Sequence, residues 1–317
     1  MGLVALPSGR INVHQLPQIG RGAADDIVMV HGLGANFGFW YASAVQWFRR
    51  AGRVTLFDLP GHGDSDMPAT GYSPGRLGVL VGELLDHLRI ERAHLVAHSF
   101  GGVVALSFAA QQQHRVKSLV LADVRVWAVE PPSVLPESAL WLQRARDAGL
   151  RLADPRLDLS VQVLMDLARM RLEHDEPQPA VFEVMPGARS LFRGRRSALK
   201  WLKLIETTRA YDEITDPEGL DLADVASIRQ PMLAAYGGLS ARKHSAMALQ
   251  QLCPDCRLRL IRKAGHFFPL TRPAIFARPA LAFLRATNRG DTVLPRRQPA
   301  QPVIADQAER VMADALS

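Results

Sequence analysis

Short apolar runs bounded by turn residues recur along the chain and predict buried β-strands. They cover residues 27–30, 54–57, 94–97, 118–122, 232–236 and 258–261. Helical patterns lie between them, and this alternation predicts a mostly parallel sheet. Residues 3–16 predict a hairpin that turns at Ser8 and Gly9, which adds two antiparallel edge strands. The predicted fold class is α/β, with a mostly parallel sheet of eight strands.

The regular spacing of the runs is interrupted once, between the sixth and seventh strands. About a hundred residues, 125–227, separate these strands and carry mostly helix-forming patterns. A simple crossover needs far fewer residues, so this stretch predicts a helical cap inserted at the edge of the sheet where α/β proteins build their sites. The predicted core comprises residues 1–124 and 228–287.

The last segment, 288–317, differs in composition from the rest. It begins with polar sequence that contains proline and arginine, which predicts a flexible tail. Five apolar residues then fall on one helical face and predict a short amphipathic helix: Ile304, Ala308, Val311, Met312 and Ala315. The pattern does not choose between docking on the same chain and docking on a partner.

The formal charge of the 317 residues is +7, and arginine contributes most of the excess. Because the arginines are spread along most of the chain, a solvated basic surface explains the charge better than a nucleic-acid footprint, and no nucleic-acid partner is predicted. No apolar run reaches the roughly 18 residues of a membrane span, and the first residues do not have the pattern of a secretory signal. We therefore expect a cytoplasmic location.

Two cysteines, Cys253 and Cys256, form a single Cys-Pro-Asp-Cys sequence. A zinc site needs about four ligands, and a redox pair should open a helix after a strand rather than follow one. The pair is therefore interpreted as a turn, and no metal or cofactor is predicted.

The third of the apolar runs, residues 94–97, leads into Val-Ala-His-Ser-Phe-Gly-Gly, residues 96–102, and an apolar helical stretch follows at once. A sharp turn from strand to helix presents its central hydroxyl above the sheet only if the residues two before and two after it are small. Ala97 and Gly101 meet this requirement around Ser99. The segment resembles the nucleophile elbow of the α/β-hydrolase superfamily, Gly-x-Ser-x-Gly, with Ala97 in place of the first glycine.

This resemblance implies that Ser99 is a nucleophile; the alternative is an elbow with a structural role only. The sequence Ala-Gly-His after the last strand resembles the family's terminal Gly-His motif, so the resemblance implies that His266 is the general base. It also implies an oxyanion hole made by the backbone amides of Leu33, in His31-Gly32-Leu33-Gly34, and Phe100. The region Asp58 to Asp66 also resembles a segment of this superfamily. It is interpreted, like His31 and His98, as structural.

The acid departs from the common pattern. Most members of the superfamily carry it shortly after the strand before the base strand, where this chain has Ser240. A minority carry it after the strand next to the nucleophile strand, and Asp123 occupies that position in the order serine, acid, histidine. Asp123 is therefore the predicted acid. The alternative is that Asp123 is structural and that the acid is missing or supplied by the cap.

The resemblance implies a serine hydrolase that cleaves an ester or thioester through an acyl-enzyme on Ser99 without a cofactor. The substrate would be a small acyl compound, or an acyl group on coenzyme A or an acyl carrier protein, whose phosphate suits an arginine cluster in the cap: Arg189, Arg193, Arg195 and Arg196. A solvated face is the simpler interpretation of that cluster. Three alternatives stay open: C–C bond hydrolysis, acyl transfer or macrocyclisation by the same triad; a cofactor-free oxygenase or lyase; and a non-catalytic binding module.

Overall fold

The computed structural model describes residues 2–19, 25–130, 139–154, 157–174, 179–185, 187, 191–192, 194–216 and 220–290. In this part of the chain an eight-stranded sheet forms the centre of the fold, in the order β1-β2-β4-β3-β5-β6-β7-β8. The strands are β1 Leu3–Leu6, β2 Gly9–Leu16, β3 Asp25–Val30, β4 Gly52–Phe57, β5 Ala93–His98, β6 Val116–Ala122, β7 Met232–Gly237 and β8 Cys256–Ile261.

The pairing explains why the central strands have continuous apolar sequences. β1 pairs with β2 and β2 with β4 in antiparallel fashion, whereas the five remaining pairs from β4 to β8 are parallel. A parallel strand is covered on both faces and must be apolar on both, and all six residues of β5 and of β7 are buried. The predicted α/β class and the eight-stranded, mostly parallel sheet are confirmed.

Helices from the segments outside residues 125–227 surround the sheet. They are α1 Gly38–Tyr41, α2 Val45–Phe48, α3 Pro74–His87, α4 Phe100–Gln111, α11 Lys243–Leu252, α12 Phe268–Thr271 and α13 Pro273–Asn288. α3 packs against α4, and α13 packs on β6 and β7 and against α2. Large side chains with almost no exposure fill these contacts, among them Trp40, Phe57, Phe108 and Phe276.

The segment between β6 and β7 is helical in its described parts. It contains α5 Ala139–Asp147, α6 Leu159–Glu173, α7 Pro179–Val184, α8 Arg195–Thr207, α9 Ala210–Thr215 and α10 Leu222–Ser227. α6 packs closely on α8. The helical insertion after the sixth strand is confirmed, whereas its exact boundaries as a domain, 125 and 227, stay predictions.

The last core helix, α13, ends at Asn288. The predicted tail begins at residue 288, where the structure still has helix; residues 291–317, which include the predicted amphipathic helix, lie outside the described residues. None of the helices that are described combines the length with the apolar character that crossing a bilayer requires.

Candidate active site

Ser99 lies in the sharp turn between β5 and α4. Its φ of 53° and ψ of −128° are a strained conformation for a residue with a Cβ. The Ser99 amide donates to the carbonyl of Ala122 at 3.0 Å, and the Gly102 amide donates to the carbonyl of Ser99 at 2.8 Å. These bonds fix the strained residue between β6 and the first turn of the helix. The sequence predicted this turn.

Gly101 shows why the turn needs a small residue on its helical side. A Cβ at Gly101 would lie 2.4 Å from the carbonyl oxygen of His31 and 2.7 Å from that of Val30. Both atoms belong to backbone and cannot yield as a flexible side chain can. The close approach of α4 to the end of β3 therefore depends on glycine at this position.

Asp123 follows the last residue of β6, at the edge of the sheet where β5 also ends. Its carboxylate is fully buried and accepts three hydrogen bonds. Oδ1 accepts from Nδ1 of His266 at 3.0 Å and from Oγ of Ser240 at 2.5 Å, and Oδ2 accepts from the Gly237 amide at 2.8 Å. Donors from the ends of β7 and β8 thus converge on a residue from β6.

These contacts set the charge of Asp123. Burial raises the pKa of the carboxyl group, but the hydrogen bond and the charge of His266, with the donors Ser240 and Gly237, outweigh burial and leave the pKa below its ordinary value. The group is therefore an anion at neutral pH. An anionic acceptor at Nδ1 means that this nitrogen of His266 carries a proton, so in the neutral form of the ring Nε2 presents a lone pair.

His266 lies in the loop between β8 and α12, and one third of its side chain is exposed. Asp123 and His266 are thus in direct contact, and Ser99 directly follows β5, the strand that pairs with β6. The structure brings the three predicted residues to one edge of the sheet. Asp123 has a φ of 51°, so strained backbone occurs at both neighbouring strand ends.

The loop 31–34 runs beside this edge. A Cβ at Gly32 would lie 3.0 Å from Cβ of Ser99, so the loop passes directly over the serine. The amide of Gly34 donates to Nε2 of His62 at 3.3 Å, and the amide of Ala35 donates to the carbonyl of Gly32 at 3.3 Å. Among the described residues, these two hydrogen bonds are donated by the amides of Gly34 and Ala35, the two residues that follow Leu33. Phe100, as the first residue of α4, has an amide without an intrahelical partner.

The residues interpreted as structural are each occupied by hydrogen bonds that shape the loops. The buried Asp58 carboxylate accepts from the Asn12 side chain and from the backbone amides of Phe37 and Asp64, at 2.7 to 2.9 Å. His31 accepts from the Leu59 amide at 3.1 Å through Nε2, which leaves Nδ1 as the donor to the Gly32 carbonyl.

Both loop histidines are buried and uncharged. Burial is the main cause that lowers the pKa of His31, and it lowers that of His62, to about 3. The charge that His31 would carry lowers the pKa of His62 further. Neutral rings that both donate and accept are suited to ordering turns.

The helical segment covers the loop directly. A Cβ at Gly34 would lie 3.0 Å from Cζ of Phe192 and 3.3 Å from Leu164, so these buried side chains rest on the backbone next to Leu33. From α8, the Lys200 ammonium donates to the backbone carbonyls of Gly63 at 2.9 Å and Ser65 at 2.6 Å. The helical segment is thus joined to the rest of the fold by apolar contact and by a lysine bound to backbone oxygens.

The arginine cluster of the cap is only partly described. Arg195 donates to the carbonyl of Leu172 at 2.7 Å, and Arg196 forms an ion pair with Asp64 at 2.8 Å. Arg189 and Arg193 lie outside the described residues. The two described guanidinium groups therefore already have protein partners. At Cys256, the amide donates to the carbonyl of Cys253 at 3.3 Å, which agrees with the interpretation of that pair as a turn, and both thiols are free and buried.

Two residues near Ser99 gain partners that the sequence did not predict. Ser240 occupies the position where an acid is common in the superfamily, and its hydroxyl contacts Asp123 instead. His98, interpreted as packing, has its Nε2 3.0 Å from the carbonyl oxygen of His266. The signal for Ser240 was its position after β7, whereas for His98 nothing in the sequence pointed to a contact 168 residues away.

A model of the alpha/beta hydrolase fold family matches residues 26–273, which is more than three quarters of the chain. The chain belongs to the alpha/beta hydrolase fold family. Ser99, Asp123 and His266 all lie within the matched range.

One relative aligns along most of its length. It is named "Putative carbamate hydrolase RutD", from Variovorax paradoxus, and is 30% identical over 272 residues, which cover 81% of this chain and 91% of the relative. Other curated relatives are matched over much less than their whole length. One is "Abhydrolase domain-containing protein abhd-5.2" of Caenorhabditis elegans, 37% identical over 101 residues, 31% of this chain and 22% of the relative. Two further relatives are covered over 28% and 41% of their length.

Among solved structures, the fold is similar to Cfl2 from Burkholderia cenocepacia. The TM-score is 0.65 at 23% sequence identity, and the match covers 89% of this chain and 95% of Cfl2. At this identity the likeness concerns the fold.

Proposed function

We propose that the chain is a serine hydrolase that cleaves a carboxylic ester or thioester through an acyl-enzyme on Ser99. The observation that carries the proposal is the buried Asp123 carboxylate on Nδ1 of His266, at the sheet edge where Ser99 occupies a strained elbow. A serine at its normal pKa is a poor nucleophile, and an oriented imidazole lone pair is the group that activates it.

In the proposed reaction, Nε2 of His266 takes the proton of the Ser99 hydroxyl as Oγ attacks the acyl carbonyl carbon. The resulting imidazolium is stabilised by the Asp123 anion. The amides of Leu33 and Phe100 donate to the oxyanion, a contribution of several kcal/mol in enzymes of this kind. His266 then returns the proton to the leaving alcohol or thiol, and a water molecule repeats the sequence on the acyl-enzyme.

The apolar side chains over the loop support an acyl substrate rather than a charged one. Leu164 and Phe192 lie against the backbone beside Leu33, where the acyl chain would enter. An acyl group on coenzyme A or an acyl carrier protein stays within the proposal, although Arg195 and Arg196 are already bonded within the chain. A small ester is therefore the first substrate to test.

A second candidate substrate is a carbamate. The relative aligned along 91% of its length has carbamate hydrolase in its name. A carbamate carbonyl could be attacked by the same Ser99 hydroxyl, so the two candidates differ in the group transferred to Ser99, an acyl or a carbamoyl group, and not in the proposed machinery.

Burst kinetics test the proposal. With p-nitrophenyl butyrate under pre-steady-state conditions, we expect a rapid release of p-nitrophenol equal to the concentration of active sites, followed by a slower steady rate. Ser99→Ala is the matched variant and should show neither phase. Steady turnover by Ser99→Ala at the wild-type rate would refute an acyl-enzyme on this residue. A parallel assay with p-nitrophenyl N-methylcarbamate distinguishes the carbamate candidate: an esterase should release one equivalent of p-nitrophenol and then stall, because decarbamoylation is slow, whereas a carbamate hydrolase should continue to turn over.

A further inference from the structure

His98 is the last residue of β5 and immediately precedes Ser99. Its side chain is buried, with 2% exposure. Nε2 lies 3.0 Å from the backbone carbonyl oxygen of His266. A carbonyl oxygen only accepts hydrogen bonds, so Nε2 of His98 carries the proton and donates it.

The surroundings of His98 favour the neutral ring. Burial is the main cause that lowers its pKa to about 3, and the nearby His266 lowers it further. One face of the ring stacks on Phe39, with centroids 4.6 Å apart, and the ring of His266 lies 4.6 Å away. Nδ1 is buried and has no hydrogen-bond partner among the described residues. A single hydrogen bond therefore fixes the ring's tautomer.

Backbone hydrogen bonds hold the loop next to His266. The carbonyl of Gly265, the residue before His266, accepts from the Phe268 amide at 3.2 Å. The loop is bonded to the end of β7 at Ala264, whose carbonyl accepts from the Leu239 amide at 2.9 Å. His98 provides the corresponding bond at His266 itself.

We propose that His98 is a positioning residue for His266, because its neutral Nε2–H binds the carbonyl of His266 and fixes the backbone from which the imidazole reaches Asp123. The inference rests on the proposed function. It assigns His98 no contact with substrate. Its effect on the reaction comes from the geometry of His266, since an ångström of misplacement costs about a hundredfold in rate at such sites.

Three variants test the proposal. His98→Phe keeps a ring and removes the donor, whereas His98→Gln removes the ring and keeps an N–H donor at a similar reach. His94→Phe is the matched control: His94 is also a buried, hydrogen-bonded histidine on β5, but it bonds to Ser118 and Asn288 at the start of the strand. The probe is a fluorophosphonate, and its reaction rate with Ser99 reports the activation of the serine.

We expect His98→Phe to react about tenfold more slowly than wild type, which corresponds to about 1.4 kcal/mol of barrier. His98→Gln should recover to within about threefold of wild type, and His94→Phe should react at nearly the wild-type rate. KM for p-nitrophenyl butyrate should stay within about twofold in all three, because no substrate contact is removed. Wild-type reaction in His98→Phe, no recovery in His98→Gln, or an equal loss in His94→Phe would each overturn the proposal.

A spectroscopic measurement separates this proposal from the proposed function and does not require a folded variant. In ¹⁵N-histidine NMR spectra of the wild-type protein, His98 should show the neutral form protonated at Nε2 from pH 5 to 8. A form protonated at Nδ1, or titration within that range, overturns the proposal even if Ser99 reacts. Unreactive Ser99 together with the expected His98 signal refutes the proposed function and leaves the His98 contact intact.

Discussion

Replacing Asp123 by asparagine changes one oxygen into an amide nitrogen and removes the charge, with little change in shape. The native carboxylate accepts hydrogen bonds at both oxygens, from His266 and Ser240 at Oδ1 and from the Gly237 amide at Oδ2. Asparagine has one accepting oxygen and one donating nitrogen. It can therefore satisfy only one of the two sides.

The backbone decides which side is satisfied. The Gly237 amide is a fixed donor, so the asparagine oxygen should face it, because two donors facing each other in a buried site cost about 1–3 kcal/mol. The amide nitrogen then faces Nδ1 of His266 and forces that nitrogen to accept. The proton of the imidazole moves to Nε2, the position that must take the proton of Ser99.

In serine triads, the wrong tautomer lowers kcat about 10⁴-fold, which corresponds to about 5.4 kcal/mol of barrier. We expect a loss of 10³- to 10⁴-fold for Asp123→Asn in p-nitrophenyl butyrate hydrolysis, with KM changed little. Circular dichroism and thermal melts provide the control for folding. Activity within tenfold of wild type in a folded variant would refute the assignment of Asp123 as the acid and favour an acid from elsewhere.

Three further predictions concern the same fold. Ser240→Ala removes a donor from Asp123, and we expect kcat to fall about tenfold or less, from the loss of about 1 kcal/mol; a loss as large as that of Asp123→Asn would contradict this supporting role. Gly101→Ala places a Cβ 2.4 Å from the carbonyl oxygen of His31, so we expect a lower melting temperature together with loss of activity, and a fully active, equally stable variant would argue against the elbow geometry. Burial is the main cause that lowers the pKa of His94 to about 4, so between pH 6.5 and 4 the unfolded chain binds a proton that the folded chain does not. The free energy of unfolding should therefore decrease as the pH is lowered through this range, by up to about 1.4 kcal/mol per pH unit. Urea titrations of His94→Gln should lack this part of the pH dependence.

The sequence was sufficient for the sheet because each central strand is apolar on both faces, as burial between helices demands. The elbow was predictable for a similar reason, since Ala97 and Gly101 leave room that no larger side chain would. These are local requirements, and local patterns reveal them. The position of Asp123 at the edge of the sheet followed from strand order.

The contacts of Ser240 and His98 were not predictable in this way. Each joins residues more than a hundred positions apart, and serine and histidine at strand ends are common without any such partner. The same holds for Lys200, whose three-donor ammonium binds loop carbonyls only because α8 lies across that loop. How a cap packs on its core depends on tertiary contacts that apolar periodicity does not encode.

The most direct test of the central claim is the site of covalent labelling by a fluorophosphonate. Intact-protein mass spectrometry of the wild-type chain should show one added phosphonyl group, and peptide mapping should place it on Ser99. Ser99→Ala should gain no mass, and His266→Ala should be labelled far more slowly. A wild-type chain that gains no label, or one that carries the label at another residue, would contradict the account.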